Sequence, residues 1–237
     1  MSETGQRREQ RILDATADLV LRWGAKRVTI EEVAKRAGVG KGTVYLHFES
    51  RAWLFMCVLM RESLGLVDEL AEAIRRDPAA VLPAEQARLT FLGVHRRPLL
   101  RAMFSRDIEL LGELAHEEAV QPLRGWKAEL AEDMLGRLRE HGLVRTDLDI
   151  PTQRFLLGAV QTGFYLYQPW ADSPDADPEA AATVLHHTIA ASVQPSGTPD
   201  SAALAEVADA LLARYQHFRE SLAAAIEARR ARATKPA

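Results

Sequence analysis

The sequence predicts an all-α protein. Strand-like alternation of apolar and polar residues is absent, and apolar residues recur at three- and four-residue intervals in almost every segment. Prolines and glycines then break the chain at intervals that suit helices. With 237 residues, 47% of them hydrophobic, the chain can bury one large core or two.

The first helix spans 7–23. Ile12, Ala15, Leu19 and Trp23 form its stripe, and Gly24 ends it. Residues 29–48, TIEEVAKRAGVGKGTVYLHF, read as two short helices joined by a tight turn. Thr29 caps the first, with Glu32 three residues on to reach back to the cap amide. Val33, Ala34 and Ala37 give an apolar face small enough for close crossing. Gly38 supplies the turn, and Val39 plugs it. The second of these helices begins near Lys41 and reaches Phe48, with Val44 and Phe48 turned inward. Its outward side carries Lys41, Thr43, Tyr45 and His47, donors and a cation without a carboxylate, which is what a phosphate backbone selects. Two helices at a turn are also an ordinary packing unit, so the spacing alone leaves both readings open.

Ser50 caps a long helix to about Arg76, roughly 40 Å at 1.5 Å per residue. Pro83 and Pro98 bracket another helix, a short one covers Leu99–Phe104, and Asp107–Ala119 continues or breaks from it. Pro122 opens a helix that stops at His141-Gly142. After a loop at 143–150, an apolar helix covers Thr152–Tyr167. The Asp- and Pro-rich loop Ala171–Pro178 leads to a helix from about Glu179 to Val193. QPSGTPD precedes a last helix over Ser201–Arg232, and the tail is expected to be disordered.

Charge is informative only in its distribution. The net charge of −3 does not call for nucleic acid, but residues 1–50 hold nine Lys and Arg against seven Asp and Glu, a mildly basic head on an acidic body. The single Cys57, expected in the core, excludes an internal disulfide and suits a reducing cytoplasm. No apolar run reaches membrane-spanning length and the polar start is no signal peptide, so no membrane association is expected. Abundant Ala, Arg and Leu with scarce Ile and Lys suggest a GC-rich bacterial genome.

The block TIEEVAKRAGV, followed by the aromatic-rich GTVYLHF, resembles the N-terminal DNA-binding domain of TetR-family transcriptional regulators, and the resemblance extends over residues 8–60. It implies a three-helix helix-turn-helix DNA-binding domain at 1–49, a helical ligand-binding and dimerisation domain at 50–232 and a disordered tail at 233–237. The final long helix would extend the shorter family pattern. The DNA-binding residues implied are Thr29, Lys41, Gly42, Thr43, Tyr45, His47 and Arg51. Thr43 and Tyr45 would meet phosphates and the groove, and Lys41 and Gly42 open the recognition helix, where amides face phosphate and glycine permits close approach. Arg51 stands where relatives usually carry Lys, and Ala52 and Trp53 depart from the common acidic pair. Tyr45 and Phe48 can also be core, Phe48 more readily. Arg7, Arg8 and Arg11 either reach DNA or form a solvated basic end. So short a helix cannot specify a long site alone, which implies a homodimer on a double-stranded, palindromic operator.

In such a family the apolar helix at 152–167 and the one after it build a four-helix dimer bundle. Here the faces would be Phe155, Leu156, Ala159, Val160, Gly163, Phe164 and Tyr167, with Ala181, Val184, Leu185, Thr188 and Ile189; burial in one protomer's core is the alternative. The resemblance also implies a ligand cavity among the middle helices, between helix 50–76 and the helices around Trp126 and Phe164. Its candidate lining is Phe91, His95, Met103, Phe104, Trp126, Leu130, Met134, Gln161, Phe164 and Tyr165. Aromatic rings and Met with few polar handles suit a small, largely apolar effector, although such residues are also ordinary core. No cofactor, metal site or catalytic group is expected. Asp172, Asp175 and Asp177 lack calcium-loop spacing, His186 and His187 are adjacent on a helix, and no nucleophile–base grouping occurs. The expectation is a cytoplasmic, ligand-responsive regulator, a repressor rather than an enzyme. A helical carrier or enzyme retaining the head is the alternative.

Overall fold

The structure is a computed structural model describing residues 3–105, 107, 110, 121–167 and 177–233, with side chains undescribed at 3–4, 121–128 and 229–233. Ten α-helices are formed among the described residues: α1 (Glu3–Trp23), α2 (Ile30–Ala37), α3 (Lys41–His47), α4 (Arg51–Arg76), α5 (Pro83–His95), α6 (Pro98–Phe104), α7 (Gln121–Glu140), α8 (Ile150–Tyr167), α9 (Pro178–Val193) and α10 (Ser201–Ala233). Short 3-10 turns at Ala25–Arg27 and Pro78–Val81 follow α1 and α4. No strand occurs among the described residues. Asp107 begins a stretch whose continuation to Ala119 lies almost wholly outside the described residues, as do most of the loop 171–178 and residues 234–237.

Two compact units divide the chain. The first comprises residues 1–64, 98–122 and 219–237, the second 65–97 and 123–218. In the first, α1 begins earlier than its stripe requires, so Arg7, Arg8 and Arg11 lie within it, all exposed. Its buried face is Ile12, Leu13, Ala15, Thr16, Leu19 and Val20. The Thr16 hydroxyl, fully buried, donates to the Ile12 carbonyl at 2.7 Å. Trp23, expected in that stripe, is instead 45% exposed. It ends the helix, and Gly24 at φ 75° turns the chain away before anything can cover the indole.

Helix α2 starts with the expected capping box. The Thr29 amide donates to Glu32 Oε2 at 2.8 Å and the Glu32 amide donates to Thr29 Oγ1 at 3.3 Å. It stops at Gly38, whose left-handed φ of 66° lets its own amide and that of Val39 satisfy the last carbonyls. Val33, Ala34 and Ala37 are buried, as are Val44 and Phe48 of the next turn. The α4 amides start on Ser50, whose Oγ accepts from Trp53 N at 3.1 Å. From Trp53 to Met60 every residue of α4 is buried, Cys57 included, as befits a helix apolar all round its first turns. Arg61 pins α4 to α1 through Asp14 at 2.6 Å.

In the second unit α5 and α9 pack along each other. Ala84, Ala87, Phe91 and Val94 are the buried face of α5, and Ala182, Leu185, Ile189 and Val193 that of α9. Gly93 lets the residues of α4 in this unit come close. A Cβ there would lie 2.3 Å from Leu66 Cδ1. Glu69 holds the end of α5 by accepting from Arg96 (2.8 Å) and Arg97 (2.5 Å), and the hydrogen bond from Arg97 keeps its carboxyl below the usual carboxylate range. The loop between α7 and α8 is clamped. Arg139 donates to the Leu148 carbonyl (2.6 Å) and to Oε1 of fully buried Gln153 (3.0 Å), while Gln153 Nε2 donates to the Arg145 carbonyl at 2.6 Å. Residues 201–218 of α10 contribute Val207, Leu211 and Tyr215 to the core, and the Tyr215 hydroxyl donates to Gln86 Oε1 at 2.9 Å.

Candidate nucleic-acid interface and body surfaces

Helix α3 divides its seven residues sharply. Val44 is fully buried, with Phe48 just past the helix end at 1%, while Lys41, Gly42, Tyr45 and Leu46 form an exposed arc. Tyr45 is 45% exposed, consistent with a surface role over core packing; Phe48 is core. Lys41 is not idle. Its Nζ pairs with Glu31 of α2 and lies 6.0 Å from the Tyr45 ring centroid. The Glu31 hydrogen bond raises the lysine's pKa, and the reciprocal bond lowers that of Glu31. Both side chains are more than half exposed, so the pair sits in water and a phosphate can compete for the ammonium. Thr43 is half-buried. His47 presents only an edge: its side chain is 14% exposed, and Nδ1 lies 3.9 Å from Glu9 Oε2 of α1. Thr29, one of the implied DNA-binding residues, already spends its amide on Glu32. Arg51 is also occupied in part. Its Nη1 donates to the carbonyls of Ala25 (3.1 Å) and Val28 (3.0 Å), and its guanidinium stands 5.4 Å from the Phe55 ring centroid, so it holds the 3-10 turn against the start of α4.

In the second unit Phe91 is the hub of an aromatic cluster. Its ring stacks on Tyr165 at 5.5 Å and on His95 at 6.4 Å, and meets Phe164 edge-on at 6.3 Å. Burial pushes the Tyr165 phenol up. Met134 is buried, and Leu130 and Gln161 are half-buried in the same unit. Met103 and Phe104, both half-buried, belong to the first unit. The Trp126 side chain lies outside the described residues. A different face of α8 is open. Phe155 (78% exposed), Ala159, Gly163, Leu166 and Tyr167 (68%) are exposed, and a Cβ added at Gly158 or Gly163 would meet nothing within 4 Å. Helix α9 exposes Ala180, Thr183, Val184, His187 and Ala191. Leu185 and Ile189, expected on the dimer face, are instead fully buried in the protomer's own core, because α5 takes that side of α9.

Residues 12–56 match the family model for bacterial regulatory proteins of the tetR family. The head at residues 12–56 is thus a TetR-type head. The chain is 34% identical over 126 residues to the transcriptional repressor KstR of Mycolicibacterium smegmatis, covering 48% of this chain and 59% of that one. It is 29% identical over 124 residues to the regulator AcrR of Shigella flexneri, covering 50% and 58%. It thus spans less than two thirds of these curated relatives. Among solved structures, the SmeT–triclosan complex superposes with a TM-score of 0.61 at 22% identity, over 82% of this chain and 96% of that one; SmeT is the repressor of a Stenotrophomonas maltophilia multidrug efflux pump. FadR of Bacillus subtilis in complex with stearoyl-CoA gives 0.60 at 18%, over 76% and 96%. These two likenesses concern the all-α fold alone.

Two residues of the TetR-family head escaped the sequence reading. Glu31 lies on α2, and its pairing with Lys41 depends on the angle between the two helices, which no local pattern encodes. Leu46 stands four after Gly42 on the outward side and is 78% exposed. That offset was the available signal. Among the described residues no group of three or more His, Cys, Asp or Glu could hold a metal, and Asp177 caps α9 through Glu179 N at 3.0 Å. Asp172 and Asp175 lie outside the described residues. No described helix is long and apolar enough to cross a membrane.

Proposed function

We propose that the protein is a cytoplasmic transcriptional repressor that binds a palindromic double-stranded operator as a homodimer and is released by a small, largely apolar effector. The division of α3 carries this reading: the inward residues anchor the helix in the head, and the exposed arc offers a cation, a hydroxyl and bare backbone without a carboxylate of its own. Thr43, Tyr45, Lys41 and the amide of Gly42 are its contacts, with Thr29, His47 and Arg51 in supporting places. The functional division is a head at 1–49, a ligand-binding and dimerisation body at 50–232 and a tail at 233–237. The exposed apolar strip of α8, with that of α9, is the homodimer face, since apolar area of this kind on a helix pair is otherwise left in water. The Phe91–Phe164–Tyr165–His95 cluster is the sensor's apolar lining with one imidazole handle. Triclosan and stearoyl-CoA, bound by two proteins of the same fold, are the first effector probes.

The test is enrichment of a site from a random duplex pool, followed by affinity measurements against salt. An inverted repeat is expected. Lys41→Ala and Tyr45→Ala should weaken it without changing the melting temperature, and Lys41→Ala should flatten the log–log salt dependence by about one unit. If both variants hold the enriched site as tightly as the parent, α3 is not the recognition helix.

A further inference from the structure

Leu46 is an apolar side chain placed where the hydrogen-bonding account of α3 has no use for one. It is 78% exposed, whereas Leu13, Leu19, Leu54 and Leu59 of the same unit are all below 5%. A leucine left in water forgoes the burial that holds those others. Its surroundings on the helix are open. Gly42, one turn earlier on the same side, is exposed, and a Cβ there would meet nothing within 4 Å, so the surface ahead of Leu46 is bare backbone. Lys41 and Tyr45 lie together along one side of this notch.

The dimensions put Leu46 within reach of base edges. Seven residues make a helix of about 10 Å, shorter than the roughly 12 Å width of the major groove. A residue at the sixth position is therefore still inside the groove when the helix lies in it. The edges there present donors and acceptors at every base pair and one apolar group, the 5-methyl of thymine. Against guanine, adenine or cytosine, a leucine would dehydrate polar edges that it cannot satisfy.

We propose that Leu46 is a specificity-determining residue that reads the 5-methyl group of a thymine in each half-site, an inference that rests on the DNA-binding reading above. Leu46 then selects by apolar contact, while Lys41, Thr43 and Tyr45 fix the helix on the backbone.

The site enriched from the random pool by the parent protein is resynthesised with each dT replaced in turn by dU. This removes the methyl and leaves every hydrogen-bonding group in place. One dT per half-site should respond, with a loss of about fourfold for each methyl removed. The same replacement should be without effect on Leu46→Ala or Leu46→Gln, two variants whose exposed position leaves the head folded, as the far-ultraviolet dichroism and melting temperature will show. A parent indifferent to every dU overturns the proposal. So do variants that keep the parent's sensitivity, and variants that lose affinity equally for the selected site and an unrelated duplex. A parent that enriches no site at all overturns the DNA-binding reading itself and this inference with it, an outcome distinct from the others.

Discussion

At Lys41 the ammonium already has a partner within the protein. Glu31 lies on the neighbouring helix, holds the lysine by a hydrogen bond and keeps it near Tyr45. In the proposed complex phosphate would have to displace a carboxylate to claim this side chain, and that carboxylate would then remain close to the DNA. The arrangement should dampen indiscriminate binding, which depends on free cations. Glu31→Gln is therefore expected to tighten binding to an unrelated duplex by a few fold at low salt, with the gain fading as salt screens it. The ratio of specific to unspecific affinity should fall. Fluorescence anisotropy on both duplexes at several salt concentrations reads this directly. Unchanged affinity for the unrelated duplex would mean that Glu31 does not restrain Lys41.

Between helices, close approach at α4 and α5 depends on the absence of one side chain. A methyl at Gly93 would sit 2.3 Å from Leu66 Cδ1, and Leu66 is itself buried. Gly93→Ala should destabilise the protein by about 1–3 kcal/mol through overpacking. Gly136, inside α7, is the control. A Cβ there meets nothing, so Gly136→Ala should stabilise by about 0.5–1 kcal/mol through helix propensity. Denaturant midpoints of the two variants should move in opposite directions. Helix α8 offers a second test. Gly163 is exposed with open space before it, so an arginine side chain can be accommodated in the protomer. Gly163→Arg should keep the parent's helical dichroism, sediment as a monomer and bind the operator weakly, because a charge would be forced into a close apolar contact. A variant that still sediments as a dimer would place the homodimer face elsewhere.

For the whole molecule the regulatory claim reduces to a coupling free energy. If an effector loosens the operator complex by some factor, operator DNA must weaken effector binding by the same factor. Triclosan and stearoyl-CoA can be titrated into the parent with and without operator, with the melting temperature as an independent sign of binding. The expected outcome is a higher melting temperature and two reciprocal shifts of equal size. Equal affinity in the two states would make the molecule a passenger in the body.

Local signals determined most of the helices and their ends. The capping box at Thr29, the left-handed turn at Gly38, the Ser50 cap, the Pro83 and Pro98 brackets and the Gly142 stop are all settled by residues within one turn of one another. The two sides of α3 were legible for the same reason, since Val44 and Phe48 announce its inner side and leave the outer one by exclusion. Only the tertiary structure decided what each side meets. Trp23 continues a stripe and yet faces solvent, and Leu185 and Ile189 face α5 in their own protomer rather than a second copy. Arg51 spends one nitrogen on two carbonyls more than twenty residues away, and Lys41 spends its charge on Glu31. A helix boundary depends on neighbours four residues distant, which the sequence places together. The partner of a helix face depends on chain brought from far along the sequence, and periodicity is blind to where that chain will lie.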